Sequence, residues 1–206
     1  MTLPEFRKLV AGDDPVVLLE GRRAISERDA YLARGFAARL AGEFVRLRFR
    51  SGNAEGSDEV FSAGVAEVDA SRLQVVAPYS SHRKKVRYSD ALYTSPESLS
   101  SVQEAAITEA TVTATPRNAN VVYKRGGSPK LAAKAAYLIR DTMKVLGHSE
   151  EFTPPVCGLF YVDPADPEAG GTGHTIRVCR RQGIPVAFQD SWMVWFLPSQ
   201  PGSLPT

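Results

Sequence analysis

Apolar residues along the chain fall into two kinds of patch, short unbroken runs and helically spaced stripes, which mostly alternate. Val16-Val17-Leu18-Leu19 is apolar without alternation, as expected of a strand buried on both faces of a parallel sheet. The turn Glu20-Gly21-Arg22-Arg23 follows, and Ser26 stands at the N-cap position of a helix expected from Glu27 to Ala41. Ala30, Ala33, Ala37, Leu40 and Ala41 recur there at helical spacing, a narrow face for close packing on a sheet. From Phe44 to Phe49 apolar residues alternate with arginine, Val45, Leu47 and Phe49 against Arg46, Arg48 and Arg50, the pattern of a half-exposed strand. A polar turn over 51–58 leads into a helix through Val60, Phe61, Gly64, Val65 and Val68, then a strand from Leu73 to Ala77.

This order is β-α-β-α-β with crossovers long enough for parallel pairing. Residues 78–130 break the rhythm. They hold the basic cluster His82-Arg83-Lys84-Lys85-Val86-Arg87, a Ser/Thr-rich stretch and Gly126-Gly127-Ser128-Pro129, and read as an insertion with one helix near 97–110. Beyond it, Leu131, Ala135, Leu138, Ile139, Thr142, Val145 and Leu146 predict a helix from Lys130 to Leu146. A buried strand over Val156 to Val162, a proline- and acid-rich loop, the glycine loop Gly170-Gly171-Thr172-Gly173, a helix to about Gln182 and a strand from Ile184 to Phe188 complete the pattern. The expected fold is α/β, a Rossmann-like doubly wound, mostly parallel sheet with helices on both faces. Residues 1–206 form a single domain in this reading, with the tail from Pro198 to Thr206 frayed.

Composition narrows the function. Apolar residues at 43% and charged residues at 23% are ordinary for a globular chain and exclude disordered and collagen-like classes. Lysine and arginine total 25 against 23 acids, a net charge of +2, which excludes a generally basic nucleic-acid coat. Two cysteines and three histidines, with no His-Glu-x-x-His, argue against a disulfide framework and a zinc enzyme, so neither metal nor cofactor is expected. No apolar run is long enough to span a membrane and the start does not resemble a signal peptide. A soluble, cytoplasmic homo-oligomer with no membrane partner is the expectation.

Three loops carry the candidate chemistry because each falls where a parallel strand gives way to a helix: Glu20 to Arg23, Ser51 to Asp58, and Gly170-Gly171-Thr172-Gly173-His174-Thr175. Ligands of open α/β sheets bind outside the strands' carboxyl ends, where helix N-termini offer free N–H groups. Glycine lets a phosphate approach the backbone, and neighbouring Ser, Thr and Arg can donate to its oxygens. The G-x-G-x-x-G of a dinucleotide site is missing after the first strand, and Gly126-Gly127-Ser128-Pro129-Lys130 lacks P-loop spacing.

In these motifs the chain resembles the SLOG superfamily of Rossmann-like nucleotide-binding proteins. That superfamily includes the DNA-processing protein A fold and the Lonely Guy cytokinin-activating hydrolases. Its members pair a Gly-x-Arg after the first strand with a Ser-Gly-x-Ala-x-Gly-x-Asp loop after the second. Those elements are matched here by Gly21-Arg22-Arg23 and by Ser51-Gly52-Asn53-Ala54-Glu55-Gly56-Ser57-Asp58. The late glycine loop is matched at Gly170 to Thr175, and Gly183-Ile184-Pro185-Val186 and Arg140-Asp141 with Val145-Leu146-Gly147 follow the same pattern. The likeness is greatest to small single-domain phage and bacterial members. It implies a nucleotide-like small molecule held at the strand ends, a role suited to sensing or signalling. The hydrolases carry a glutamate in the glycine loop that assists N-glycosidic cleavage, and that place holds Ile176.

The candidate ligand-binding residues are Gly21, Arg22, Arg23, Ser51, Gly52, Asn53, Gly56, Asp58, Arg140, Gly170, Gly171, Thr172, Gly173, His174 and Thr175. Glu20 and Glu55 are the candidate acids if an N-glycosidic bond is cleaved in a nucleoside monophosphate. Asp58 is either a helix cap or a ligand contact, and Glu20 faces either a ribose hydroxyl or an arginine. Arg140 falls opposite its helix's apolar face, so it serves a site, serves a partner subunit or is solvated. Trp192 and Trp195 either wall a base or close the core. Arg83, Lys84, Lys85 and Arg87 are either a single-stranded DNA contact or a solvated loop.

Overall fold

The computed structural model describes residues 1–124 and 128–196; Gly126-Gly127 and the tail from Pro198 lie outside the described residues. Six parallel strands form one sheet: β1 (Val16–Gly21), β2 (Arg48–Ser51), β3 (Leu73–Val76), β4 (Leu92–Thr94), β5 (Cys157–Tyr161) and β6 (Val186–Phe188). Their spatial order is β4-β3-β2-β1-β5-β6. The helices are α1 (Leu3–Leu9), α2 (Glu27–Glu43), α3 (Ser57–Asp69), α4 (Ser101–Ala114), α5 (Ala119–Tyr123), α6 (Pro129–Leu146), α7 (Gly170–Arg181) and α8 (Gln189–Trp192). This is a Rossmann-like doubly wound α/β fold. The chain steps outward from β1 to β4, then returns across α4, α5 and α6 to place β5 on the other side of β1. The strand order therefore reverses between β1 and β5, which stay paired to their carboxyl ends at Gly21 and Tyr161, and ligands of such sheets bind at that reversal.

The unbroken apolar run of β1 follows from this layering. Val17 and Leu19 face α2 and α3, packing with Ala37, Leu40, Phe61 and Val65, while Leu18 joins Val145 and Ile176 from α6 and α7 on the opposite face. Successive strand residues point to opposite sides, so both must be apolar when both sides are covered. Ser26 caps α2 by accepting from the Asp29 N–H, and the alanine stripe lets α2 lie close against α3.

The structure departs from the sequence pattern in particular places. β2 begins at Arg48, and Val45, in the preceding turn, is 74% exposed. Arg50 is fully buried: it donates through Nε and Nη2 to Gln74 Oε1 and through Nη1 to the Lys144 carbonyl. The arginines do alternate, but α6 covers the face to which Arg50 points. Residues 78–124 add to the sheet and to its helical cover. They supply β4, paired with β3, and α4, which begins at Ser101 behind a Ser100–Gln103 capping box. α1 was not anticipated, although Thr2 and Glu5 form a capping box around Pro4. No helix among the described residues is long and apolar enough to cross a membrane.

Candidate functional site

At the reversal point the carboxyl end of β1 meets the start of α7 and the middle of α6 around a cavity of about 370 Å³. Glu20, Gly21, Arg22 and Arg23 enter it from β1, Ala54 and Asp58 from the β2–α3 connection and α3, Tyr137, Arg140 and Asp141 from α6, and Ala169 to Thr172 from α7. The volume lies within the range of small-molecule sites. α7 opens onto the cavity without a side-chain cap. The N–H groups of Gly170, Gly171 and Thr172 precede the first intrahelical bond, from Gly173 to Ala169, and so lie at the positive end of the helix dipole. Gly170 takes φ +61°, a left-handed conformation that turns the chain into the helix.

The floor of the cavity is a buried charge cluster. Lys144 Nζ lies 2.6 Å from Glu20 Oε2 and 3.0 Å from Asp141 Oδ1, and Arg140 Nε lies 2.9 Å from Asp141 Oδ1. Thr175 Oγ1 donates to the other Glu20 oxygen at 3.0 Å. Arg140 Nη1 donates to the Gly52 carbonyl at 2.5 Å, and its guanidinium lies over the Tyr137 ring. Asp58 accepts from the N–H groups of Gly21 and Gly52, both at 3.2 Å, and so clamps the ends of β1 and β2 together. Glu20, Asp58 and Asp141 thus oppose two cations, all five buried. Burial pushes the Glu20 carboxyl up to about 7 against the pull of Lys144, with Asp141 and Asp58 adding repulsion. Asp58 is also raised by burial, opposed by Lys144 and Arg140. Burial opposes the charge of Arg140, but Asp141, Asp58 and Glu20 together hold its guanidinium above the ordinary value.

The arrangement sorts the residues singled out from the sequence. Glu20, Gly21, Arg22, Arg23, Asp58, Arg140, Gly170, Gly171 and Thr172 converge on the cavity. Arg140 is not solvated: the half of α6 that carries it is buried on all sides. Asp58 does not cap α3, whose N-cap is Gly56. Glu20 is paired with Lys144, which spacing alone did not indicate. Ser51, Gly52, Asn53 and Gly56 shape the loop without lining the cavity. Ser51 turns its hydroxyl to the Asp58 carbonyl, Asn53 donates to the His82 carbonyl, and a Cβ on Gly56 would run into the Arg23 backbone. Gly173 is a glycine because the Glu168 carbonyl lies against it. His174 points away, fully buried between the hydroxyls of Thr115 (2.7 Å) and Thr142 (2.9 Å), and burial pushes it down to about 4. Thr175 lies behind the wall on Glu20. Ile176 is buried in the core against Leu18 and Phe160.

Trp192 and Trp195 pack on the core and do not line the cavity. Trp192 is buried between Phe36 and Phe61 and donates to the Phe160 carbonyl, and Trp195 packs on Phe6. The basic cluster divides: Arg83 pairs with Glu59, Arg87 donates to the carbonyls of Ser80 and His82, and Lys84 and Lys85 remain exposed. Tyr137, Asp141 and Lys144 were missed as site residues, though a helix carrying Arg140, Asp141 and Lys144 within two turns presents more charge than an interior face accepts unpaired. No family model matches the chain, and neither characterised proteins nor solved structures give a match. The resemblance to SLOG proteins rests on the motifs alone.

Proposed function

We propose that the protein binds a nucleotide or nucleotide-derived small molecule in the cavity between β1, α6 and α7. The observation that carries this reading is the uncapped start of α7 opening onto the reversal point, with Arg22 and Arg23 at the same opening. A phosphate there takes N–H groups from Gly170, Gly171 and Thr172. Arg22 is positioned for this by its ion pair with Asp163 at 2.7 Å. The buried cluster beneath fixes Arg140 and keeps the floor rigid. Binding rather than hydrolysis is favoured, because Ile176 occupies the place of the hydrolase glutamate and the carboxylate of Glu20 is already held by Lys144 and Thr175.

Thermal unfolding with a nucleotide panel tests this reading. A ligand present at one hundred times its dissociation constant adds about 2.7 kcal/mol, which for a domain of this size is a rise of about 5–10 °C. Product analysis on the same samples should recover the nucleoside monophosphates intact. No shift across the panel at millimolar concentration refutes the binding reading, and release of free base would make Glu20 the suspected acid.

A further inference from the structure

A second compartment of about 330 Å³ adjoins the cavity and shares Arg23, Ala54 and Tyr137 with it. Its remaining walls come from Glu55 and from the segment after β3, with Tyr79, Ser81, His82 and Arg83. That segment is held against the β2–α3 loop. Asn53 Nδ2 donates to the His82 carbonyl at 3.3 Å, Arg83 donates to the Asn53 carbonyl at 3.4 Å, and Arg83 pairs with Glu59 at 3.0 Å. The walls are therefore built by long-range contacts.

Three rings meet in this compartment. His82 stands edge-on to Tyr79, with centroids 5.2 Å apart at 85°, and edge-on to Tyr137 at 5.9 Å and 88°. The Tyr137 hydroxyl and His82 Nε2 are 3.1 Å apart, which locks both rings. Arg23 and Arg140 lie over the Tyr137 ring, so its faces serve cations. Among the described residues no cation lies over Tyr79, which is 38% exposed and leaves ring surface open beside the compartment. His82 is neutral at pH 7: burial, followed by Arg140, Arg83, Arg87 and Arg23, pushes it down to about 4. The rim carries both hydrogen-bonding senses, donors on Arg23 and Arg83 and an acceptor on Glu55. A flat aromatic surface bordered by donors and an acceptor matches a nucleobase, whose face stacks and whose edge carries both kinds of group.

We infer that this compartment is a base-binding subsite, in which the nucleobase of a nucleoside 5′-phosphate stacks on Tyr79 while its phosphate lies at the start of α7. The inference rests on the nucleotide reading of the neighbouring cavity and deepens it, because it assigns the base to residues outside the glycine loops. Stacking on one aromatic ring is commonly worth a factor of ten or more in affinity, about 1.4 kcal/mol per tenfold.

Calorimetric titration of the full chain tests it with three probes: ribose 5-phosphate, the four common nucleoside 5′-monophosphates, and inorganic pyrophosphate. At least one nucleotide should bind about tenfold or more tighter than ribose 5-phosphate. Tyr79→Ala should bring that ratio close to one while leaving ribose 5-phosphate affinity within about twofold, and Tyr79→Phe should restore the ratio. Tyr79 is partly exposed, so both variants are expected to fold, with circular dichroism as the check. Equal binding of ribose 5-phosphate and every nucleotide would overturn the base subsite but leave the phosphate site standing. Pyrophosphate binding as tightly as the best nucleotide would make the compartment a second anion site and overturn it too. If neither ribose 5-phosphate nor any nucleotide binds the folded protein, the nucleotide reading fails and the subsite falls with it.

Discussion

Lys144→Met is the sharpest probe of the buried cluster under the cavity. Lys144 is fully buried and its ammonium holds Glu20 at 2.6 Å and Asp141 at 3.0 Å. Methionine fills nearly the same volume, so the packing change is small and the loss is electrostatic. Removing one partner of a buried pair leaves the other charge unpaired, at about 3–5 kcal/mol. For a domain of this size that lowers the melting temperature by about 6–20 °C. The effect has a defined pH dependence. The folded-state value of Glu20 is raised from 4.5 to about 7, so its contribution to stability is full below 4.5 and is lost as pH rises through 7. That shift corresponds to about 3 kcal/mol. Without Lys144 the carboxyl moves higher still, so the variant's deficit should be smallest at pH 5 and largest at pH 8.5. The double variant Glu20→Gln/Lys144→Met should recover part of the loss, because only Asp141, which still pairs with Arg140, is then left facing the missing ammonium. The assay is chemical unfolding followed by circular dichroism at both pH values. A deficit below about 1 kcal/mol at pH 8.5, or one that does not change with pH, would refute the claim that these charges are desolvated and interdependent.

Two further predictions concern the α7 loop. Gly171→Val places a Cβ 3.1 Å from Asp141 Oδ2 and covers the N–H groups at the helix start, so nucleotide affinity should fall at least tenfold while the chain stays folded. A folded Gly171→Val protein with full affinity would move the phosphate elsewhere. His174→Leu removes one hydrogen bond each from the hydroxyls of Thr115, which keeps Arg177, and Thr142, which keeps Thr111 and Leu138, and should cost about 1–3 kcal/mol without touching ligand affinity. The folded-state value of His174 is depressed from 6.5 to about 4. The stability it holds is therefore present above pH 6.5 and lost as pH falls toward 4, and the variant should show a flatter acid limb, by up to about 1.4 kcal/mol per pH unit. An unchanged acid limb, or weakened ligand binding, would mean that His174 does not occupy this buried, neutral position.

Much of the fold was legible because local pattern and tertiary burial agree. The unbroken apolar runs at Val16 to Leu19 and Val156 to Val162 lie in strands covered on both faces, and Ser26 caps the helix it precedes. The three loops converge because each follows a strand of one parallel sheet, although only some of their residues reach the cavity. The glycines illustrate the difference: Gly170 faces open space at the helix start and Gly171 meets the Asp141 carboxylate, whereas Gly56 and Gly173 are required by a backbone that passes behind them. Composition does not distinguish these cases.

The residues themselves set the α/β alternation, the parallel crossovers and the positions of the helix starts, because hydrophobic period and capping are local properties. The sense of Arg50, Arg140 and Lys144 is not local. Each sits where sequence periodicity would put it near solvent, and each is buried because α6 crosses the face of the sheet to which Glu20, Arg50 and Gln74 point. A charge is tolerated inside only when its partner arrives from a distant segment, and Glu20 and Lys144 stand 124 residues apart. The second compartment has the same origin, since Tyr79 and His82 meet Tyr137 only after β4 docks on the sheet edge and α6 returns across it. Pairing over such separations depends on the packed fold, so the tertiary structure alone decided which charges are buried and which rings line the cleft.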